Sequence, residues 1–441
     1  MCSGQNFFAT FFTFSVGLLT VAAAQNNPFG SHHQQYAPGT LFPNQYSQAQ
    51  IDDFVGDYYD QWKSEWVRVD PGGDGYRVVM DGAGRTTSES QGFGMIVTPH
   101  MAGHDPNAKQ IFDGLFTYAR AHPSDGNPQL MDWAQPDAWG NNSAFDGDAD
   151  IAYGLLVADA QWGSQGVINY RQEALNIIDA IHTSTIGSNS KLPMLGDWVD
   201  PNSSGPYNQW STRSSDFMYG HFRAFGKASG NESQWNDVIA ATQTVTADIQ
   251  SQFGTGLVSD FVVVDPLTGD ADPAPPNFLE SDYDDDYWYN AGRNPWRLGT
   301  DAVLSGDATS WEQARMLSEF FQDSSSGDPN QILGGYELDG DPLNSWSDLF
   351  YRSPVGVAAM TGIDEADQQW LNGIFDNVKE SHVNYYSDSV TLNSLLVMSG
   401  NFIDPSTITA VPEPSAASLI AGCYLGAWLL RRKKRKANSS R

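Results

Sequence analysis

The chain is nearly free of cysteine. Of 441 residues only Cys2 and Cys423 carry a thiol, and both sit in apolar terminal segments. The long middle therefore holds no disulfide framework, no thiolate zinc site and no cysteine nucleophile. Cations are scarce as well: 23 Lys and Arg stand against 53 Asp and Glu, a formal net charge of −30. Seven of those cations crowd into 431–441, so residues 25–411 carry 16 cations against 52 acids, a net of −36. Such a surface excludes nucleic acid and anionic membrane as partners and suits neutral or cationic ligands. Its ordinary role is a solvated acidic coat. Strand signals are few, and Leu257–Val264 is the best of them.

Aromatic residues are plentiful, with 14 Trp, 18 Tyr and 23 Phe. They serve either a bulky helical core or as apolar platforms for sugar rings, and composition alone does not choose. The length allows one large domain or two small ones.

Both ends read as sorting signals. Residues 7–24 form an apolar run closing on Ala22 and Ala24, so 1–24 is expected to be a signal peptide. Gln, Asn, Pro and His dominate the next stretch, and 25–50 reads as a linker. From Val411 the tail runs VPEPSAASLIAGCYLGAWLLRRKKRK: a Pro-Glu-Pro, a short apolar run and six consecutive cations. The apolar run is brief for a full span, and the cations are a stop-transfer feature. The segment 411–436 resembles the PEP-CTERM sorting signal of exopolysaccharide-producing bacteria. That resemblance implies an exosortase-type sorting enzyme as partner and a secreted or cell-surface protein, anchored transiently by its hydrophobic segment. A permanent anchor is the alternative.

Between these ends, apolar periodicity and Gly/Pro punctuation predict twelve helices. They lie near 51–68, 91–104, 106–121, 146–162, 166–184, 215–228, 232–252, 290–305, 308–322, 346–361, 363–379 and 387–398. Long aromatic, acidic loops at 122–145, 191–214 and 254–289 alternate with short links. The expected fold is all-α: six helical hairpins, the count of an (α/α)6 barrel, with long loops forming a cleft at one end.

Three stretches carry chemistry. AFDGDADIAYGLLVADAQW (144–162) packs Asp146, Asp148 and Asp150 at a helix start, where the macrodipole favours one or two acids but three repel. An EF-hand is excluded, because Ile151 and Val157 occupy the positions that need Gly and Glu. SESQGFGM (88–95) sets Glu89 among small and apolar neighbours, which suits a raised-pKa general acid as well as a helix cap. NFLESDYDDDYWYNAGRNPWRLGTD (277–301) combines acids, aromatic rings and guanidiniums, as a glycan cleft or an acidic surface loop would.

Together these stretches resemble glycoside hydrolase family 8 over roughly residues 51–403, and the catalytic domain is set at 51–408. MDWAQ (131–135), TRSSDFMYGHFRAF (212–225), GYELDGDPL (335–343) and YYSDSVTLNSLLVMSGNF (385–402) also look familial. Phe145 and Gly154 depart from the family signature, which has Ser/Thr and Ser/Ala there. The resemblance implies an (α/α)6 barrel and inverting hydrolysis of β-1,4 glycans, with Glu89 as general acid. Many members carry the base as Asp in a Tyr-Asp-Ala-x-Arg segment, but this chain has Tyr289-Asn290-Ala291-Gly292-Arg293. Asn cannot deprotonate water. A subgroup that includes chitosanases and some glucanases shares the Asn and resembles this chain in a Phe-Leu-Glu about ten residues earlier, here Phe278-Leu279-Glu280. Glu280 is therefore the implied base, with Asn290 and Arg293 holding the water and the neighbouring sugar. Asp146 is the implied contact to the sugar at the cleavage site, Asp148 and Asp150 organise the helix start, and Trp133, Trp198 and Tyr289 are the implied stacking positions. No metal and no cofactor are expected. The expected partner is a β-linked polysaccharide, cut by a monomer. The main expectation is a β-glucanase acting on cellulose or mixed-linkage glucan; the alternatives are a chitosanase and a non-catalytic glycan-binding surface protein.

Overall fold

The computed structural model describes residues 25–136 and 141–407; the expected signal peptide and sorting tail lie outside the described residues. Twelve helices appear among them. They are α1 (Gln48–Trp66), α2 (Ser88–His100), α3 (Ala108–Ala121), α4 (Phe145–Trp162), α5 (Tyr170–Ser184), α6 (Tyr219–Ser229), α7 (Glu232–Phe253), α8 (Asn294–Ser305), α9 (Ala308–Ser324), α10 (Leu349–Ala359), α11 (Glu365–Val378) and α12 (Tyr385–Met398). All twelve predicted stretches are found, with ends moved by a few residues. The largest shifts have local causes. α2 starts three residues early because Thr87 and Ser90 form a reciprocal capping box. α8 starts late because Ala291–Arg293 first makes a single 3₁₀ turn. The sequence 346–348 stays in a loop because Asp348 caps α10.

The even-numbered helices make an inner ring. α2 packs on α4, α4 on α6, α6 on α8, α8 on α10, α10 on α12, and α12 closes on α2. α2, α4, α10 and α12 are buried on nearly every side, as helices lined by neighbours all round must be. The odd-numbered helices form the outer layer and bury one face. α3 shows this with Ile111, Phe112, Leu115, Phe116 and Ala119 at helical spacing. This is the expected (α/α)6 barrel. No helix of the described residues is long and apolar enough to cross a membrane.

The three crowded aspartates are explained by close approach. A Cβ on Gly147 would fall 2.3 Å from Ser88 Oγ, and one on Gly154 would fall 2.5 Å from the Met95 carbonyl oxygen. The glycines let α4 press against α2 and bring Asp146 beside Glu89. The departure at Gly154 from the family's Ser/Ala thus has a packing cause, and Phe145 fills core space edge-on to Phe222. Gly154→Ala is expected to destabilise the protein by about 1–3 kcal/mol. A thermal melt checks this, and an unchanged midpoint would mean the two helices can part at no cost.

Short strands fasten the loops above the ring. Ser211–Arg213, Phe261–Val264 and Ala271–Pro273 pair antiparallel, with Arg213 opposite Phe261. The predicted strand 257–264 is thus shorter at its start. Thr86–Thr87 pairs with Ala134–Gln135 just before α2. Residues 25–47 correct the linker reading. Asn26 and Asn27 bond to α4, the Leu41 amide bonds the Met360 carbonyl, and Phe29, Tyr36, Leu41 and Phe42 pack on the core. Polar composition hid those anchors.

Candidate active site

The inner helices place their starts at a common end. Glu89 is in the first turn of α2, Asp146 in the first turn of α4, and Arg213–Asp216 leads into α6. Asn290 and Arg293 precede α8, and Tyr385 opens α12. Residues spread over some 300 positions of sequence therefore meet.

Arg293 is the hub. Its side chain is almost wholly buried. Its Nη1 donates to Glu89 Oε2 and to Asp146 Oδ2, each at 2.8 Å. Its Nη2 donates to Ser215 Oγ at 2.8 Å and to Asn290 Oδ1 at 2.9 Å. Asn290 Nδ2 then donates to Glu280 Oε2 at 2.9 Å and Asp260 Oδ2 at 3.1 Å. Arg213 Nη2 donates to the other Glu280 oxygen at 2.7 Å, and its Nη1 lies 3.9 Å from Asp146. Glu89 and Glu280 thus do not touch. They are joined through Arg293 and Asn290, which stand between them.

This network orients Asn290. Its carbonyl oxygen faces a guanidinium and its amide faces two carboxylates. An Asp at 290 would set a third carboxylate within hydrogen-bond distance of two others, where like charges disfavour ionisation. Asp260 is a scaffold. It accepts from the backbone amides of Trp288, Asn290 and Ala291 and from Asn290 Nδ2, at 2.7–3.1 Å, and these four bonds knot the turn that carries Asn290.

The two glutamates have different surroundings. Glu89 is four-fifths buried by side-chain area. Burial pushes its carboxyl up to about 7; Arg293 opposes the rise and the Asp146 charge adds to it. Tyr385 donates to its second oxygen at 3.3 Å. Glu280 is 43% exposed. For Asp146, burial alone would raise the carboxyl, but Arg293 and Arg213 outweigh it and hold it below the usual range. The arrangement offers a protonated carboxyl at one point and an exposed carboxyl clasped by two N–H donors at another, which is what acid–base hydrolysis uses.

The aspartate run divides its labour differently from expectation. Asp148 reaches out of the helix and accepts from the Met131 amide at 2.7 Å, tying the 122–136 loop to α4. Asp150 does not organise the helix start. It is fully buried and joins three inner helices, accepting both terminal nitrogens of Arg297 at 2.9 and 2.7 Å and lying 2.8 Å from His221 Nε2. Mutual repulsion is relieved because Asp146 and Asp150 each face an arginine, while burial, aided by the charges of Asp197 and Asp146, pushes the Asp148 carboxyl well above the usual range so that it sheds its charge.

The three aromatic candidates lie around this centre. Trp133 is half-buried, and its carbonyl accepts from the Ser88 amide next to Glu89. Trp198 is exposed and packs edge-on to Tyr207, whose hydroxyl bonds the Phe278 carbonyl two residues before Glu280. Tyr289 is exposed and stacked on Phe350 at 5.3 Å. Sequence reasoning missed the roles of Arg213, Ser215, Asp260 and Tyr385. Arg213 and Tyr385 fall in stretches noted as familial, so position within them was the available signal; Asp260 has no motif around it.

A family model described as "Glycosyl hydrolases family 8" matches residues 42–400. A β-glucanase of Niallia circulans is 40% identical over 387 residues, covering 86% of this chain and 92% of that protein. An endoglucanase of Bacillus sp. (strain KSM-330) is 38% identical over 410 residues, covering 88% and 84%. Among solved structures, a β-1,3-1,4-glucanase from Paenibacillus sp. X4 superposes with a TM-score of 0.81 at 39% identity, covering 86% of this chain and 99% of that one.

Proposed function

This chain belongs to glycosyl hydrolase family 8 and is a glycoside hydrolase, and from that membership we propose that it cleaves β-1,4 bonds in β-glucan with inversion, using Glu89 as acid and Glu280 as base. The substrate class follows the relatives, which are named β-glucanase, endoglucanase and β-1,3-1,4-glucanase. The observation that carries the mechanism is the pairing of a buried Glu89, pushed up to about 7, with an exposed Glu280 on the far side of Arg293 and Asn290. Inversion needs a proton donor for the leaving oxygen and a separate carboxylate with room for water between it and the sugar.

In this reading Glu89 protonates the glycosidic oxygen as the bond to the anomeric carbon breaks. Glu280, clasped by Arg213 and Asn290, takes a proton from a water that attacks the opposite face. Asp146, held ionised by two guanidiniums, accepts from a sugar hydroxyl. The export reading belongs to the same proposal: the chain is secreted through residues 1–24 and sorted through 411–436.

Reducing-sugar release from barley β-glucan, carboxymethyl cellulose, chitosan and xylan tests the substrate, with release expected from the two glucans. Proton NMR of the first product from a cello-oligosaccharide is expected to show the α-anomer. A β-anomer at early times would exclude inversion. A second reading, chitosan hydrolysis, is favoured by the acidic rim. Pairing of Tyr287 with Tyr336 brings 282–286 beside Glu337 and Asp339, and burial together with those charges pushes Asp286 up to about 7. Preferred release from chitosan in the same panel would select it.

A further inference from the structure

The loop 333–348 carries an aromatic residue that the acid–base centre does not use. Trp346 is 39% exposed and stands edge-on to Trp288 at 5.8 Å. Trp288 in turn meets Tyr283 at 4.6 Å and Tyr289 at 5.1 Å. Tyr289 adjoins Asn290, so an aromatic ledge runs from the catalytic centre outward to Trp346. A second aromatic pair, Trp198 with Tyr207, is tied to the Phe278 carbonyl two residues before Glu280.

The ledge is built to hold its shape. A Cβ on Gly334 would lie 2.3 Å from the six-membered ring of Trp346, and one on Gly335 would lie 2.2 Å from Trp288. The two glycines are thus the seats of two indoles. The backbone around them is closed: the Gly334 amide bonds the Trp346 carbonyl at 2.7 Å, Asn344 Nδ2 bonds the Gly334 carbonyl at 2.8 Å, and the Leu343 amide bonds the Gly335 carbonyl at 3.0 Å. Arg352 Nε holds Ser347 at 3.0 Å. A fixed aromatic face loses little freedom when a ring docks on it. Around it, Glu337, Asp339 and Asp341 are exposed carboxylates, acceptors suited to sugar hydroxyls.

We propose that Trp346 is a platform for a β-glucan chain beyond the units at the cleavage site, so that this ledge sets a preference for long substrates. The proposal rests on the β-glucanase reading above, and its occupant is the same polymer continuing past Tyr289. It assigns Gly334 a role as the residue that positions Trp346.

The test compares kcat/KM on barley β-glucan with kcat/KM on cellotriose. For Trp346→Ala the polymer-to-trimer ratio is expected to fall roughly tenfold, the loss usual when an anchoring Trp is truncated. Gly334→Ala, whose backbone strain is nil but whose methyl displaces the indole, is expected to lower the ratio similarly, while Trp346→Phe keeps most of it. A ratio unchanged in Trp346→Ala overturns the proposal. Electrophoresis in gels containing barley β-glucan separates this from failure of the function reading. There Glu89→Gln is expected to be retarded and Glu89→Gln/Trp346→Ala markedly less so, whether or not the wild type hydrolyses the polymer. Equal retardation, or none in either, overturns the platform.

Discussion

Glu89→Gln is expected to lower kcat on soluble β-glucan by about three orders of magnitude, within the range for loss of a positioned general acid. Gln keeps the acceptor for Arg293 Nη1 and nearly the same volume, so the hub around Arg293 persists and KM changes little. What is lost is the proton for the leaving oxygen. The pH profile reports the same group. Glu89 must be protonated to act, and burial pushes it up to about 7. The protonated fraction is near complete well below pH 7 and falls about tenfold per unit well above it. Wild-type kcat/KM is therefore expected to decline on the alkaline side with a midpoint near 7, and Glu89→Gln to lose that limb. A leaving group that needs no proton, such as dinitrophenolate on a cello-oligoside, is expected to recover much of the variant's rate. Near-wild-type turnover of β-glucan by Glu89→Gln, or an alkaline limb that survives it, removes Glu89 from the role.

Much of this was legible in the chain because helices announce themselves through local period. The inner helices do so by being apolar on all sides, as in α12, and the outer ones by a single stripe, as in α3. Glu89, Asp146 and Glu280 were visible through short motifs. The pairings among them were not, because they depend on ring closure. Arg293 meets Glu89 across 204 positions and Tyr385 meets Glu89 across 296. Asp150 was misassigned for the same reason: its spacing within the run is that of a helix start, but its partners Arg297 and His221 come from two other helices. Residues 25–47 misled in the opposite sense. Their composition is that of a linker, and five hydrophobic side chains spaced along it, Phe29, Tyr36, Leu41, Phe42 and Tyr46, suffice to fasten it to the barrel.

The base makes the sharper test, because the segment Tyr289–Arg293 holds Asn290 and no carboxylate. Glu280→Gln is expected to lower kcat by roughly 10²–10⁴-fold, with KM nearly unchanged because the role proposed for Glu280 is on water and not on the sugar. The network explains why no neighbour substitutes. Asp260 already accepts four hydrogen bonds, three of them from backbone amides, and is buried beneath the turn. Asp146 is turned to Arg293. Azide supplies a nucleophile that needs no deprotonation, so it is expected to restore cleavage in Glu280→Gln. Attack from the face opposite the leaving oxygen forms the nitrogen–carbon bond as the glycosidic bond breaks, with Glu89 delivering its proton, and the product is an α-glycosyl azide. The same anion is expected to leave Glu89→Gln unchanged with β-glucan as substrate, since that variant lacks the acid and not the nucleophile. A β-glycosyl azide would exclude a single displacement and with it inversion, whereas azide rescue of Glu89→Gln instead would exchange the two assigned roles. Asn290→Asp sharpens the point further. If the base belonged at 290, restoring Asp in Glu280→Gln would recover hydrolysis. Because Asn290 faces Glu280 and Asp260 through its amide, the new carboxylate would instead be pressed against Asp260, and the double variant is expected to remain at least a hundredfold slower than wild type.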